Sequence, residues 1–146
     1  MPDDDAATVV ALWAAPIPVV GWLAWHHGLV VVRGAATDRW EVWQRPAAGG
    51  EHWGHLHRNL MAPDRGVGGG PSRVIRVWSG DSAGSVAARI EGAPRNYPWR
   101  YRYRVLPGPN SNTFAQWAVG YRFALGWKGW GRGTAVGAVS AGGDAG

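Results

Sequence analysis

The sequence predicts a single α+β domain in which an antiparallel sheet packs with two or three helices. β-Branched and alternating segments recur through the first half of the chain, a segment with helical spacing follows them, and a helix start comes late, near residue 110. Strands and helices are therefore segregated, which is typical of α+β proteins. With 146 residues the chain can bury one core. We assign residues 1–119 to this domain and the Gly- and Ala-rich residues 120–146 to a poorly ordered tail.

The first strands come from the amino-terminal third of the chain. The β-branched runs Thr8-Val9-Val10 and residues 29–32 predict two strands connected through Pro16-Ile17-Pro18. Residues 34–38 have the composition of a hairpin turn, and residues 39–44 alternate apolar and polar side chains. This order predicts neighbouring antiparallel strands.

The remaining elements follow residue 72. Residues 73–78 alternate again and predict a strand, and residues 80–90 carry apolar side chains at helical spacing until Gly92 and Pro94. Residues 97–105 alternate aromatic side chains and arginines. As a strand, this segment would present aromatic rings on one face and guanidinium groups on the other.

Composition and charge exclude some chemistry. The chain has no cysteine, which excludes disulfides, cysteine-based zinc sites and a cysteine nucleophile. Its net charge is +5, but residues 65–146 carry ten arginines and one lysine against three acidic residues, a net of +8. A basic half of this kind can attract nucleic acid, anionic lipid or acidic substrates.

The uncharged residues 6–32 are long enough to span a membrane. Pro16 and Pro18 interrupt them, and Asp3-Asp4-Asp5 is acidic where a signal peptide would be basic. We therefore interpret the segment as buried core, expect no membrane span and favour a cytoplasmic location.

Residues 107–114 (PGPNSNTF) offer the best place for a nucleophile. The two prolines prevent helix formation up to Asn110, and Asn110 or Ser111 can cap a helix over residues 113–119. The amino terminus of a helix also favours developing negative charge, so both the Ser111 hydroxyl and an oxyanion would gain there. The alternative is a capped helix start without chemistry.

Several short blocks can be compared with known families. The most specific is residues 107–114, and the others are Tyr97-Pro98, Arg102-Tyr103-Arg104-Val105, Arg58-Asn59, Ala62-Pro63-Asp64 and His26 ahead of Leu29-Val30-Val31. Together they resemble an uncharacterised bacterial family, domain of unknown function 3750, over about residues 8–118. The resemblance implies no reaction. After Trp117 the chain departs from the family, whose usual acidic segment is replaced by residues 120–146 with one acidic residue.

Two of these blocks also resemble the paired motifs of circularly permuted papain-like hydrolases and transferases. His26-His27-Gly28 before a β-branched strand and Asn110-Ser111-Asn112 at a helix start occur in the same order as in those proteins, with Ser111 in the position of the cysteine. The resemblance implies a papain-like fold. It also implies hydrolysis or acyl transfer on an amide or ester, with a small acyl compound or a peptide as substrate.

If this second resemblance holds, each group has a chemical role. Ser111 attacks, and neutral His26 removes its proton. The Ser111 N–H with the Asn110 or Asn112 side chain forms the oxyanion hole, and Glu41 fixes the imidazole. A site shaped around a thiolate loses its low-pKa nucleophile when serine replaces cysteine, so the chain could instead be a catalytically inactive binding domain.

Other clusters suggest binding rather than chemistry. Arg100, Arg102 and Arg104 on the alternating strand, with Arg58 and Asn59, are the candidate residues for an anionic ligand, a nucleic acid or a protein partner. A solvated outer face is the simpler interpretation of this alternation. His52, His55 and His57 have ligand-type side chains, but the neighbouring Arg58 would repel a cation, so we predict neither a metal nor another cofactor.

Overall fold

The computed structural model describes residues 8–135, which form one antiparallel sheet with helices on it. The six strands lie in the order β4-β5-β3-β2-β1-β6, and every neighbouring pair is antiparallel. The strands are β1 (Thr8–Pro16), β2 (Trp25–Arg33), β3 (Ala36–Val42), β4 (Glu51–Trp53), β5 (Leu56–Arg58) and β6 (Arg73–Ser79). The helices are α1 (Gly80–Glu91), α2 (Ala93–Asn96) and α3 (Ser111–Val119), followed by a 3₁₀ turn at Gly120–Arg122. The predicted α+β class is confirmed.

One face of the sheet carries the apolar core. Leu12 pairs with Leu29, which pairs with Trp40, so these three buried side chains share a face. Helix α1 packs on β1, and α3 packs on β2 and β3. Between the helices, the Tyr97 and Phe114 rings meet edge to face with centroids 5.2 Å apart. The core therefore lies between the central strands and the two longer helices.

The opposite face buries polar side chains at the end of the sheet where β2 begins. Arg39 and Glu41 lie on this face of β3, and Arg39 donates to the carbonyl oxygens of Ala62 and Arg65 in the loop of residues 59–72. Gly28 makes room there, because a Cβ at this position would lie 2.3 Å from the Trp13 ring. This face contains charged groups, which must be paired to be buried.

Local patterns predicted most elements correctly. The predicted strands on both sides of Pro16 and over residues 73–78 are β1, β2 and β6. Helix α1 buries Ala83, Val86, Ala87 and Ile90. Strand β3 starts three residues earlier than predicted, because the hairpin turn consists only of Gly34, with φ 57°, and Ala35.

The predicted strand over residues 97–105 is wrong. The segment forms turns, in which the Arg102 N–H donates to the Trp99 carbonyl and the Arg104 N–H donates to the Pro109 carbonyl. Its aromatic side chains share no face, since Tyr97 is buried and Tyr101 is 75% exposed. The arginines are not a row either: Arg100 donates to the Pro94 carbonyl, while Arg102 and Arg104 are exposed in the turns.

Residues 120–135, predicted to belong to a poorly ordered tail, contact the sheet and α3 instead. The Lys128 carbonyl accepts from the Trp25 N–H, and the Leu125 N–H donates to Gln116 Oε1. Residues 136–146 of the predicted tail, and the acidic leader Asp3-Asp4-Asp5, lie outside the described residues. Within residues 8–135, no helix has the length and apolar character needed to cross a bilayer.

Candidate active site

A cavity of about 180 Å³ lies where the start of β2, the end of β3 and the amino terminus of α3 meet. It brings together Ser111 and His26, which are distant in the sequence and both buried. Its lining consists of Ile17, Pro18, His26, Val42, Trp43, Gln44, Val67, Tyr103 and Ser111. The wall combines polar groups of His26, Gln44, Tyr103 and Ser111 with apolar side chains.

The side chain of Ser111 does not cap α3. Asn110 is the cap residue: its Oδ1 accepts from the N–H groups of Asn112 and Thr113 at 3.0 and 3.3 Å, and its own N–H donates to Thr113 Oγ1. Ser111 is the first helical residue, and its N–H has no hydrogen-bond partner among residues 8–135. This N–H and the helix dipole can therefore act on a negative charge in the cavity.

His26 is oriented by a buried carboxylate. Its Nε2 lies 2.7 Å from Glu41 Oε2. The carboxylate can only accept, so Nε2 carries a hydrogen, and in the neutral imidazole the lone pair is on Nδ1. The Trp13 and Trp43 rings flank the imidazole, with centroids 5.4 and 5.6 Å away. Nδ1 has no hydrogen-bond partner in the part of the chain that the structure describes, and is available as a base.

His26 and Arg39 together keep Glu41 ionised. The Arg39 Nε and Nη2 donate to the two carboxylate oxygens at 2.8 and 3.0 Å, and the Arg39 and Glu41 side chains are fully buried. Burial alone would raise the pKa of Glu41. The hydrogen bonds from His26 and Arg39, together with the charge of Arg39, outweigh it and lower that pKa. Hydrogen bonds thus connect Arg39 through Glu41 to His26.

Arg39 is a residue of the candidate site that was not predicted from the sequence. The alternation of side chains along a strand could have revealed it, because this alternation places Arg39 and Glu41 on the same face of β3. In addition, the Arg39 guanidinium lies over the Trp13 ring, 4.1 Å from its centroid.

Asn112 is not available as an oxyanion donor, contrary to the expectation from the sequence. Its Nδ2 donates to the carbonyls of Trp25 and Trp130, both at 2.9 Å. Its Oδ1 accepts from the N–H and the Nδ1–H of His27, at 3.1 and 2.8 Å. The Asn110 amide is also engaged, because its Nδ2 donates to the Val105 carbonyl while its Oδ1 caps α3. The Ser111 N–H is the donor that remains.

His27 is expected to make the protein less stable as the pH falls. Burial lowers its pKa to about 4, although the Asn112 hydrogen bond acts in the opposite direction. The unfolded chain, with an ordinary histidine pKa of about 6.5, binds a proton that the folded chain lacks, so stability is lost as the pH falls from about 6.5 to about 4. The free energy of unfolding, measured with urea, should fall by about 3 kcal/mol over this range from His27 alone.

The control for this pH dependence is His27→Leu. The lowered pKa values of His57 and Glu41 act in the same direction and persist in the variant. The difference between the two proteins therefore isolates His27. Equal slopes of stability against pH would contradict the expectation.

Two of the three clustered histidines, His55 and His57, form side-chain hydrogen bonds in or beside the β4–β5 hairpin. His57 is buried, donates from Nδ1 to the His55 carbonyl and accepts the Ala48 N–H at Nε2. His55 Nδ1 donates to the Trp43 carbonyl. Among residues 8–135, no three histidine or acidic side chains form a group that could hold a metal ion.

Arg58 and Asn59, predicted to bind a ligand, make local contacts. Arg58 pairs with Glu51 across the hairpin. Asn59 accepts the Arg39 N–H and donates to Asp38, both at 2.8 Å. These contacts connect strands near the edge of the sheet, and neither residue lines the cavity.

The chain matches the model of a protein family. A family model described as "Protein of unknown function (DUF3750)" matches residues 7–133, beyond the limit of about residue 118 expected from the sequence. No curated protein and no solved structure matches the chain.

Proposed function

This chain belongs to the family described as Protein of unknown function (DUF3750), and we propose that it is a hydrolase or acyltransferase acting on an amide or ester. One observation carries the proposal. Ser111 and His26 line the same cavity, and the buried Glu41 carboxylate holds His26 Nε2 at 2.7 Å. A nucleophile, a base and a group that orients the base are the three parts of a serine-type acyl-transfer site.

The first half of the proposed reaction forms an acyl-enzyme. Ser111 Oγ attacks the carbonyl carbon while its proton passes to His26 Nδ1. The imidazolium that results is stabilised by Glu41, and the oxyanion receives a hydrogen bond from the Ser111 N–H at the amino terminus of α3. Collapse of the tetrahedral intermediate breaks the bond to the leaving amine or alcohol, which takes the proton from His26.

The second half releases the acyl group. Water, or an acceptor alcohol or amine, gives its proton to His26 and attacks the ester carbonyl on Ser111. The products are the free acid in hydrolysis or the new ester or amide in transfer, and Ser111 recovers its proton. The apolar walls Ile17, Val42 and Val67 and the volume of about 180 Å³ favour a short, uncharged acyl group, since sites for drug-sized ligands are larger.

A serine-directed fluorophosphonate probe tests the proposal. We expect the wild-type protein to be labelled on Ser111, with labelling abolished in Ser111→Ala and slowed by about 10³-fold in His26→Ala, which removes the general base. Labelled peptides identified by mass spectrometry give the site. Ser85→Ala, at an exposed serine of α1, is the matched control and should react like the wild type.

Two results would count against the proposal. Labelling that persists in Ser111→Ala would place the reactive hydroxyl elsewhere. No labelling of the folded wild-type protein would favour the catalytically inactive binding domain for an anionic ligand, a nucleic acid or a protein partner.

A further inference from the structure

The loop between β1 and β2 exposes large apolar side chains. Residues 17–24 contain no charged residue, yet Val19 is 95% exposed and Trp22 is 69% exposed. The loop is held in shape by its own backbone, since the Ile17 N–H donates to the Ala24 carbonyl and the Leu23 N–H donates to the Val20 carbonyl. Its tip is thus an ordered apolar projection, a feature that marks interaction sites.

Val19 is a poor residue for this position if folding is the only requirement. Its φ of 69° lies in the left-handed region, where a β-branched side chain is strained. Glycine or asparagine would occupy the same backbone conformation at lower cost. A strained, exposed valine therefore indicates that its side chain has a role outside the fold.

Basic and aromatic side chains lie next to this loop. Trp25 Nε1 donates to the Gly21 carbonyl at 2.6 Å, which fixes the Trp25 ring against the loop. Lys128 Nζ lies 4.8 Å from the Trp25 ring centroid and 5.3 Å from that of Trp127, which is 61% exposed. The Arg73 guanidinium lies 5.1 Å from the Trp25 ring. Neither cation belongs to an ion pair within residues 8–135.

We propose that this surface binds the interface of an anionic phospholipid bilayer. The docking surface consists of apolar tip residues, indole rings and two cations: Val19, Trp22, Trp25, Arg73, Trp127 and Lys128. Indole rings are suited to the depth of the lipid headgroups, and aliphatic side chains are suited to the boundary between the headgroups and the acyl chains. Arginine and lysine side chains can pair with lipid phosphates. A nucleic acid would stack on the rings but leave Val19 without a partner, because bases stack on aromatic side chains.

Sedimentation with lipid vesicles tests the docking surface. We expect the wild-type protein to bind vesicles of phosphatidylcholine and phosphatidylglycerol in equal parts, more weakly at high salt, and to bind phosphatidylcholine vesicles less. Trp22→Asp should weaken binding by about tenfold, because the variant lacks an indole ring that can move from water into the bilayer interface. Lys128→Glu should weaken binding to the anionic vesicles by at least about fivefold. Tyr101→Asp is the matched control, an exposed aromatic residue outside the surface, and should bind like the wild type.

Val19→Asn separates binding from folding. It should weaken vesicle binding while raising the melting temperature by about 3 °C, since asparagine tolerates the left-handed backbone. The proposal is overturned if the folded wild-type protein binds neither type of vesicle, or if Tyr101→Asp weakens binding as much as Trp22→Asp. Binding of a single-stranded oligonucleotide that Trp22→Asp abolishes, without vesicle binding, would also overturn it and assign the surface to nucleic acid.

Discussion

Replacing Arg39 with leucine is expected to lower the free energy of unfolding by about 3–5 kcal/mol. Arg39 is fully buried and donates to both oxygens of the buried Glu41 carboxylate. It also donates to the carbonyls of Ala62 and Arg65. Leucine would leave a buried carboxylate short of two donors and two loop carbonyls without a partner. Urea unfolding, followed by circular dichroism, measures the loss.

Two further variants distinguish a buried charge network from ordinary side-chain loss. Arg33→Leu removes an arginine whose ion pair with Glu91, at 2.8 Å, is exposed to solvent, and should cost less than about 1 kcal/mol. Arg39→Leu combined with Glu41→Leu should be more stable than Arg39→Leu alone, because no buried charge then lacks its partner. Equal losses for Arg33→Leu and Arg39→Leu would contradict the assignment.

Elements whose signals are local were predictable from the sequence. Helix α1 is an example, because its four buried positions follow from helical spacing and its end follows from Gly92. Asn110 likewise caps α3 through side-chain contacts within three residues. Strand alternation also separates His26 from His27, which bond to Glu41 and Asn112 respectively. Each prediction needs only a few neighbouring residues.

The failed strand over residues 97–105 shows where such signals end. Its aromatic and arginine side chains alternate as they would in a strand, but a strand also needs the edge of another strand to pair with. Pro98 offers no N–H, the Arg102 N–H bonds to Trp99 within the segment, and the Arg104 N–H bonds to Pro109 just beyond it. Within residues 8–135 the sheet ends at β4 on one side and β6 on the other. Which segment forms an edge is a property of the whole fold.

The candidate site was also predictable from the sequence only in part. Ser111, His26 and Glu41 could be proposed from the helix start and from strand patterns. The tertiary contacts of Asn112 could not, because its partners Trp25, His27 and Trp130 come from two distant parts of the chain. The packing of residues 120–135 was missed for the same reason: its backbone groups bond to β2 and to the side chains of α3, and Leu125 enters the core, so its partners come from other elements of the fold.

Glu41→Gln is expected to slow fluorophosphonate labelling of Ser111 by about 10³–10⁴-fold. The carboxylate fixes the hydrogen on His26 Nε2, at 2.7 Å, and leaves Nδ1 as the base. A glutamine can turn its NH₂ group toward Nε2, which then becomes the acceptor and places the hydrogen on Nδ1. That tautomer cannot take the Ser111 proton, and the imidazolium also loses its counter-charge. The rate constant of labelling at neutral pH measures the effect.

The comparison of Glu41→Gln with Glu41→Asp separates chemistry from stability. Both variants disturb the contacts with Arg39, so both should unfold at lower urea concentration, and labelling is measured where each is folded. Aspartate keeps an acceptor-only group and should retain more of the labelling rate than glutamine, although its shorter side chain lengthens the contact with His26. If the two variants react at the same rate, Glu41 acts only through folding, and His26 is not oriented by its charge. If the labelling rate is higher in Glu41→Asp than in Glu41→Gln, and this difference does not follow their stabilities, Glu41 is the positioning residue of the site.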